Sequence, residues 1–225
     1  DVCSSDLHQS GQLVQDMAAG QLIYKLMSGE ENEQWLRDRN LDAWDLIANI
    51  VDWVDADNMR STASGGYEDE LYNHLSSPYL SKNAPFDSKE ELRLVEGWQD
   101  EVYDRFAEKL TIYGNQKINV NCADNDVITA MIQAAVTPPL TNDQIQLILT
   151  DLANYKAYQR FQTVAQAKTW FQGMVPNLPP TFAANLSVQS KVYRIRSTGQ
   201  IGDTTVTISA VLNYDKSTGS KEGKF

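Results

Sequence analysis

Long apolar runs are missing from this chain of 225 residues. A membrane-spanning helix needs about 20 consecutive apolar residues, and polar or charged residues interrupt every window of that length. No segment has the pattern of a secretory signal peptide either. With 42% apolar and 22% charged residues, the composition is typical of a globular domain rather than a disordered chain.

Positive charge and cysteine are also scarce. The chain carries 19 Lys and Arg against 30 Asp and Glu, a formal net charge of −11. This excess of acid argues against general nucleic-acid binding, which depends on neutralising phosphates, and it suits a protein that binds divalent cations. The two cysteines, Cys3 and Cys122, give no disulfide framework or zinc ligand set, and we predict that Cys122 is a small buried residue.

The opening residues DVCSSDL resemble a translated sequencing adapter. We therefore expect residues 1–7 to be an assembly scar and the natural protein to continue upstream. Residues 8–180 are then predicted to form an α-helical domain, and residues 181–225 a C-terminal β-hairpin. The expected fold class is α+β.

Periodicity supports this division of the chain. Leu41 to Val54 is the clearest helix, since its apolar residues recur at helical spacing. The polar GEENEQWLRDRN predicts a loop with a short helical turn, and Ser88 with Glu91 fits a helix capping box. After MVPNLPP the pattern alternates, which predicts two strands, SVQSKVYRIRS and TTVTISAVLNY, joined as an antiparallel hairpin.

Carboxylates gather where that clearest helix ends. Asp52 and Asp55 are three residues apart and share a helix face, while Asp57 and Asn58 follow just beyond it. A helix C-terminus disfavours anions by roughly 0.3–1 kcal/mol each. A hard divalent ion would compensate this charge, because calcium prefers oxygen ligands. The alternative is a solvated helix end in which Asp57 and Asn58 make turn hydrogen bonds.

The cluster does not follow the EF-hand pattern. If Asp55 is position one, the twelfth residue is Gly66, where that loop requires a bidentate Glu. The closing ligands of a calcium site would instead come from Glu68 or Asp69, in the following GGYEDE.

Four motifs in succession resemble a known family. They are DWVDADN, GGYEDELY, PYLSKNAPFDSKEELRLVEG and INVNCAD, within about Leu41 to Met131. Their order and spacing are similar to those of minor pseudopilin K of type II secretion systems, also called general secretion pathway protein K. Tyr67, Leu71 and Cys122 depart from the family pattern, which has Ala, Tyr and Thr there.

The resemblance implies a structural protein, not an enzyme. It implies a helical domain inserted into a small pilin-like sheet, which is truncated here, and an upstream hydrophobic helix that anchors a periplasmic domain in the inner membrane. Minor pseudopilins I and J, and the exported cargo, would be its partners at the pseudopilus tip, with no nucleic acid. It also implies bound calcium (Ca2+), with these ligand candidates: Asp52, Asp55, Asp57, Asn58, Glu68 and Asp69.

The terminal hairpin is expected to expose an apolar surface. A lone hairpin is marginal in water, so missing strands or neighbouring pseudopilins would have to cover it. The candidate residues on this surface are Val192, Ile195, Val206 and Ile208.

Two other functions compete with this interpretation. INVNCAD followed by a helix also resembles a DNA-binding helix-hairpin-helix module, although AAVTPPLT offers no glycine for its phosphate-binding hairpin. Paired carboxylates such as Asp52 and Asp55 with Glu68 and Asp69 could serve a glycoside hydrolase. The tryptophans, however, are spread along the chain, and we predict that they belong to the core rather than to a carbohydrate cleft.

Overall fold

The computed structural model describes residues 2–3, 17–62, 65–113, 117–214 and 221–224. The α-helices are α1 (Ala18–Met27), α2 (Glu30–Asp38), α3 (Ala43–Val54), α4 (Asp100–Phe106), α5 (Asn125–Ala135), α6 (Asn142–Tyr158) and α7 (Val164–Met174). The strands are β1 (Val2–Cys3), β2 (Leu110–Thr111), β3 (Ile118–Asn119), β4 (Leu186–Ser187), β5 (Val192–Ile201), β6 (Thr204–Tyr214) and β7 (Lys221–Lys224). Short 3-10 helices cover Glu68–Leu71, Lys89–Leu94, Ala107–Lys109 and Pro180–Asn185.

Helix α3 runs through the core and confirms the predicted helix at that place. Asp42 caps its start, since the carboxylate accepts hydrogen bonds from Trp44 N at 2.7 Å and Asp45 N at 3.2 Å. Every residue from 46 to 54 is buried. The helix is thus covered on all sides, which exceeds the single apolar stripe that the periodicity indicates.

The loop before α4 is fixed against α3. Trp98 is fully buried, and its indole Nε1 donates to Leu46 O at 2.7 Å. Gly97 precedes it with φ +81, and a Cβ there would lie 2.5 Å from Leu46 Cδ2. Only glycine can adopt this φ while the backbone approaches the helix so closely. Trp98 and Trp53 are buried in the core, as expected.

The prediction of a loop over GEENEQWLRDRN is wrong, because α2 occupies Glu30–Asp38. Leu36 is its one buried residue, so the apolar signal is weak. Its stability comes from three acidic residues in the first turn, Arg37 in the last turn and a Gln34–Asp38 side-chain hydrogen bond of 2.6 Å.

The predicted capping box at Ser88 is also absent. Lys89–Leu94 is a 3-10 helix, and the Ser88 side chain makes no cap hydrogen bond. Glu91 instead accepts from Asp87 N at 2.8 Å and pairs with Lys82 Nζ at 2.7 Å. Because the Glu91 carboxylate binds Lys82 and Asp87 N, it does not form the capping box with Ser88.

The predicted C-terminal hairpin is confirmed. Strands β5 and β6 pair antiparallel from Val192 opposite Asn213 to Ile201 opposite Thr204, and β7 pairs with the C-terminal end of β6, from Val211 to Tyr214. Together with the helices, this sheet gives the α+β fold expected from the sequence, and about half of the described residues are helical.

The two faces of the hairpin differ in polarity. Side chains alternate between faces along each strand, so the register places one apolar set together: Tyr193, Ile195, Ile201, Val206 and Ile208, all exposed. The other face carries Arg194, Thr198 and Thr207. Val192 and Ile195 are three positions apart, an odd number, so their side chains lie on opposite faces of β5. Val192 therefore lies on the second face, and its assignment to the apolar surface is wrong.

Cys122 is exposed rather than buried, which corrects that prediction. It lies in the turn after β3, where Val120 is the buried residue instead.

The proposed scar at residues 1–7 lies mostly outside the described residues; only Val2–Cys3 is described, paired with Leu110–Thr111. The domain boundaries stay a prediction. Within the described ranges, every helix is too short or too polar to span a lipid bilayer.

Candidate metal centre

Three buried carboxylates meet at the end of α3. Asp52 and Asp55, the last-turn and C-cap residues of the helix, are joined there by Glu68 from the first 3-10 helix. One ligand oxygen from each lies within 4.8 Å of the others. Their exposed fractions are only 0%, 5% and 0%, so the three negative charges have little access to water.

The loop after α3 folds back to bring Glu68 into place. Met59 and Tyr67 form an isolated antiparallel bridge, and Glu68 N donates to Asn58 O at 3.3 Å. This backbone pairing returns the chain to the helix end. Glu68, sixteen positions after Asp52 in the sequence, therefore becomes its neighbour in space.

Most oxygens of the three carboxylates have no hydrogen-bond partner. Asp52 Oδ1 accepts from Ser61 N at 2.7 Å. Among the described residues, no well-formed hydrogen bond reaches Asp52 Oδ2, Asp55 Oδ1 or either Glu68 carboxylate oxygen, although all are buried. The Ser81 side chain lies close enough to Glu68, and Glu68 close enough to Asp55, to oppose part of the rise in the pKa values of these two carboxyl groups. Native proteins satisfy most buried polar atoms, and a bound ion is one usual explanation of the exceptions.

Burial and mutual repulsion raise the carboxyl pKa values. Burial is the main cause at all three residues and raises the pKa of Asp55 to about 6 and of Glu68 to about 8. The neighbouring charges, including Asp57, raise these two pKa values further. The pKa of Asp52 is raised in spite of the opposing charge of Arg60, which makes no ion pair with the cluster in the described part of the chain.

These donors fit a hard divalent cation. The cluster offers only oxygen atoms, the ligand type that calcium prefers, and no sulfur or imidazole as zinc sites often have. Its unpaired carboxylate oxygens would gain partners, and the positive charge would favour the ionised carboxylates that burial and mutual repulsion disfavour. Asp52, Asp55 and Glu68 are the residues that could hold it.

The other three candidate ligands lie beside this cluster and make loop hydrogen bonds. Asp57 Oδ1 accepts from Met59 N at 2.8 Å, and Asn58 Oδ1 accepts from Asn83 Nδ2 at 2.9 Å. Asp69 Oδ1 accepts from the backbone and hydroxyl of Ser81 at 3.1 and 3.2 Å. The turn hydrogen bonds considered as the alternative interpretation thus coexist with the buried group.

Asn83 is a residue of this region that the ligand prediction missed. Its Nδ2 also donates to Asp57 O at 3.0 Å, and its backbone N donates to Trp53 O at 3.0 Å. Its Oδ1 is buried and has no hydrogen-bond partner among the described residues. The motif PYLSKNAP contains this residue, but nothing in the spacing places it next to α3.

The metal-free chain is expected to lose stability as the pH rises from about 5 to 8. Folding raises the pKa of Asp55 from 3.8 to about 6 and that of Glu68 from 4.5 to about 8. The folded state then binds more protons than the unfolded state, so the free energy of unfolding falls with rising pH. Melting curves in a chelator should show this fall, and Glu68→Gln should reduce it. A fall of equal size in both proteins would contradict the assignment.

The fold and the carboxylate cluster together indicate the class to which the protein belongs. It is a mainly helical α+β protein in which buried carboxylates join a helix end to its loop and a terminal sheet exposes an apolar face. Residues 12–115 match the family model described as Type II secretion system (T2SS), protein K. The chain is similar to this family over somewhat less than half of its length.

Curated relatives agree with the family model. The chain is 30% identical over 179 residues to the type II secretion system protein K of Aeromonas hydrophila, covering 76% of this chain and 50% of the relative. It is 34% identical over 98 residues to the protein of that name from Klebsiella pneumoniae, covering 44% of this chain and 29% of the relative. The chain thus spans about half the length of the Aeromonas relative, and its match covers less than a third of the Klebsiella relative.

A solved structure has the same fold. A chain in the crystal structure of the GspK-GspI-GspJ complex from the enterotoxigenic Escherichia coli type 2 secretion system matches with a TM-score of 0.68. The match covers 99% of this chain and 74% of the other, at 18% identity. At this identity the similarity establishes the fold.

Proposed function

We propose that the chain is part of a minor pseudopilin, a structural subunit at the tip of a type II secretion pseudopilus. The observation that carries this proposal is the exposed apolar face of the terminal hairpin, with Ile195, Val206 and Ile208 all more than half exposed. An apolar sheet face of this kind is usually covered by another surface. Similarity to the protein K family supports the interpretation that this face belongs to a subunit of a secretion system.

The proposed partners are minor pseudopilins I and J of the same system. The similar solved chain comes from a complex of GspK with GspI and GspJ, and it has the fold of this chain. In the proposed assembly, I or J covers the apolar face of the hairpin. Exported cargo would meet the same tip, and the family resemblance supports a periplasmic location with an inner-membrane anchor.

We further propose that Asp52, Asp55 and Glu68 bind calcium. The unpaired buried oxygens and the oxygen-only donor set support this choice. The ion would hold the loop against the end of α3. Asp57, Asn58 and Asp69 would orient that loop, and their remaining oxygens are candidates for completing the coordination.

The buried position of the cluster favours this structural role over glycoside hydrolysis. A hydrolase must place two carboxyl groups on either side of a sugar. Asp52 and Glu68 are fully buried and Asp55 nearly so, and a polysaccharide cannot reach side chains in that position. The cluster supports the fold instead.

Charge on the apolar face should weaken assembly with I and J at least tenfold. In the double variant Val206→Lys/Ile208→Lys, two lysines would have to be desolvated in the interface. The matched control is Thr205→Lys/Thr207→Lys, which places the same charges at adjacent positions on the opposite face. Complex formation with purified I and J is measured by analytical size exclusion and calorimetry.

The comparison of the two double variants decides the outcome. Loss of assembly in the first variant, with the control retaining it, supports the proposed interface. Unchanged assembly in both variants contradicts the use of this face, and failure of the unmodified chain to bind I and J contradicts the proposed partnership.

A further inference from the structure

A polar cavity lies between β3, the start of α5 and the base of the terminal hairpin. Its volume is about 520 Å³, which is within the range of about 300–1,000 Å³ for small-molecule pockets. It lies mostly beyond the residues that match the family model, which end at residue 115. The carboxylate cluster at the end of α3 contributes no residue to it.

The lining of this cavity is basic in a chain that is acidic overall. Lys117, Lys191 and Arg194 line it, whereas Asp124 is the one acidic residue among the described residues of its lining. Within the part of the chain that the structure describes, none of the three cations makes an ion pair with a carboxylate. The three unpaired cations make the cavity locally positive, although the chain as a whole has 30 acidic side chains.

The register of the hairpin places Arg194 on the cavity side. Val192 and Arg194 share one face of β5, and their cross-strand partners are Asn213 and Val211. All four line the cavity. The apolar face proposed to meet other pseudopilins is the opposite one, so the two surfaces of the hairpin are free to serve different partners.

Two nearby groups bear on the charge of this region. The pKa of Lys89 is lowered by burial and then by the charge of Arg194, against the opposing charges of Glu90 and Glu108. Helix α5 begins at the cavity, and its N-cap residue Asp124 makes no side-chain cap hydrogen bond. The positive end of the helix dipole therefore adds to the charge of the cations.

The remaining lining groups suit a peptide backbone. Gln189 and Asn213 carry amides that can both donate and accept hydrogen bonds. The Asn119 amide is held within the wall of the cavity, since it donates to Ser190 Oγ at 2.8 Å and accepts from Asn121 N at 3.1 Å. We propose that this cavity binds an acidic peptide segment, with its carboxylates on Arg194 and the two lysines and its main chain on the amides. This site goes beyond the proposed pseudopilin function and does not depend on the metal cluster.

A direct binding experiment tests the proposal. The probe is a tetraglutamate peptide that carries a dye of no net charge, titrated into the full chain in a chelator at low salt and followed by fluorescence anisotropy. Arg194→Gln and Lys117→Gln should each weaken binding about three- to tenfold. Arg160→Gln removes the same charge from an exposed position outside the cavity and should leave binding unchanged.

Further probes separate the peptide from other anions. A tetraglutamine peptide should not bind, and free citrate should compete only weakly. Saturable binding that the cavity variants weaken and Arg160→Gln does not supports the site. No binding, equal weakening by Arg160→Gln, or binding of citrate without the peptide overturns it. Because the chelator removes calcium and the assay contains no I or J, failure here leaves the proposed pseudopilin function untouched.

Discussion

Calcium should raise the melting temperature of this chain by several degrees. A ligand that binds only the folded state contributes about 2.7 kcal/mol at a hundred times its Kd, and this corresponds to roughly 5–10 °C for a protein of this size. The expected site is the cluster of Asp52, Asp55 and Glu68, where Asp52 Oδ2, Asp55 Oδ1 and both Glu68 carboxylate oxygens are buried without a well-formed hydrogen bond among the described residues. Melting curves with calcium and with chelator measure the shift.

Neutral variants of the cluster should separate calcium binding from folding. Glu68→Gln should abolish most of the calcium-dependent gain, and its metal-free form should melt no lower than the unmodified chain at about pH 8, because the variant removes a buried charge. Glu70→Gln is the matched control, since this exposed residue lies two positions away in the same 3-10 helix. A calcium gain that survives Glu68→Gln, or that Glu70→Gln removes equally, would contradict the site.

Asn121→Ala is expected to destabilise the chain by about 3 kcal/mol, through unpaired polar groups in three positions. The Asn121 side chain accepts from Phe161 N at 3.0 Å and donates to Phe161 O at 2.9 Å and Val188 O at 3.0 Å. It therefore connects the turn after β3 with two distant segments. This structural role accounts for the second asparagine of INVNCAD, Asn121, without the DNA phosphate contact that a helix-hairpin-helix module would make.

Denaturant unfolding of Asn121→Ala measures the effect. Asn125→Ala is the control, because Asn125 is exposed at the start of α5, and an exposed substitution of this kind usually changes stability by about 0.5 kcal/mol or less. Equal stability of the two variants would show that the three hydrogen bonds contribute little to holding these segments together.

Strong periodicity made the main elements predictable. Helix α3 and the hairpin of β5 and β6 have regular apolar spacing, so the sequence indicates both their type and their approximate ends. Helix α2 lacks this signal because it buries only Leu36. Its exposed side chains are held by long-range partners, as when Arg105 donates to Asn32 Oδ1 at 2.8 Å, and periodicity carries no information about such contacts.

The candidate site was predictable in residue type but not in full geometry. Helical spacing places Asp52 and Asp55 together, and the GGYEDE motif indicates the region that contains Glu68. Only the bridge between Met59 and Tyr67 decides that Glu68, rather than Asp69, faces the helix end. That choice depends on backbone pairing within a loop, which side-chain spacing along the sequence does not report.

Isothermal titration of calcium into the chelator-treated chain tests the central claim most directly. The account predicts saturable binding that is tighter at about pH 8 than at about pH 5.5, because the raised carboxyl pKa values make protons compete with the metal. Binding should be lost in Asp55→Asn/Glu68→Gln and kept in Glu70→Gln. No binding at about pH 8, or equal binding by the double variant, would contradict the claim that these buried carboxylates hold a cation.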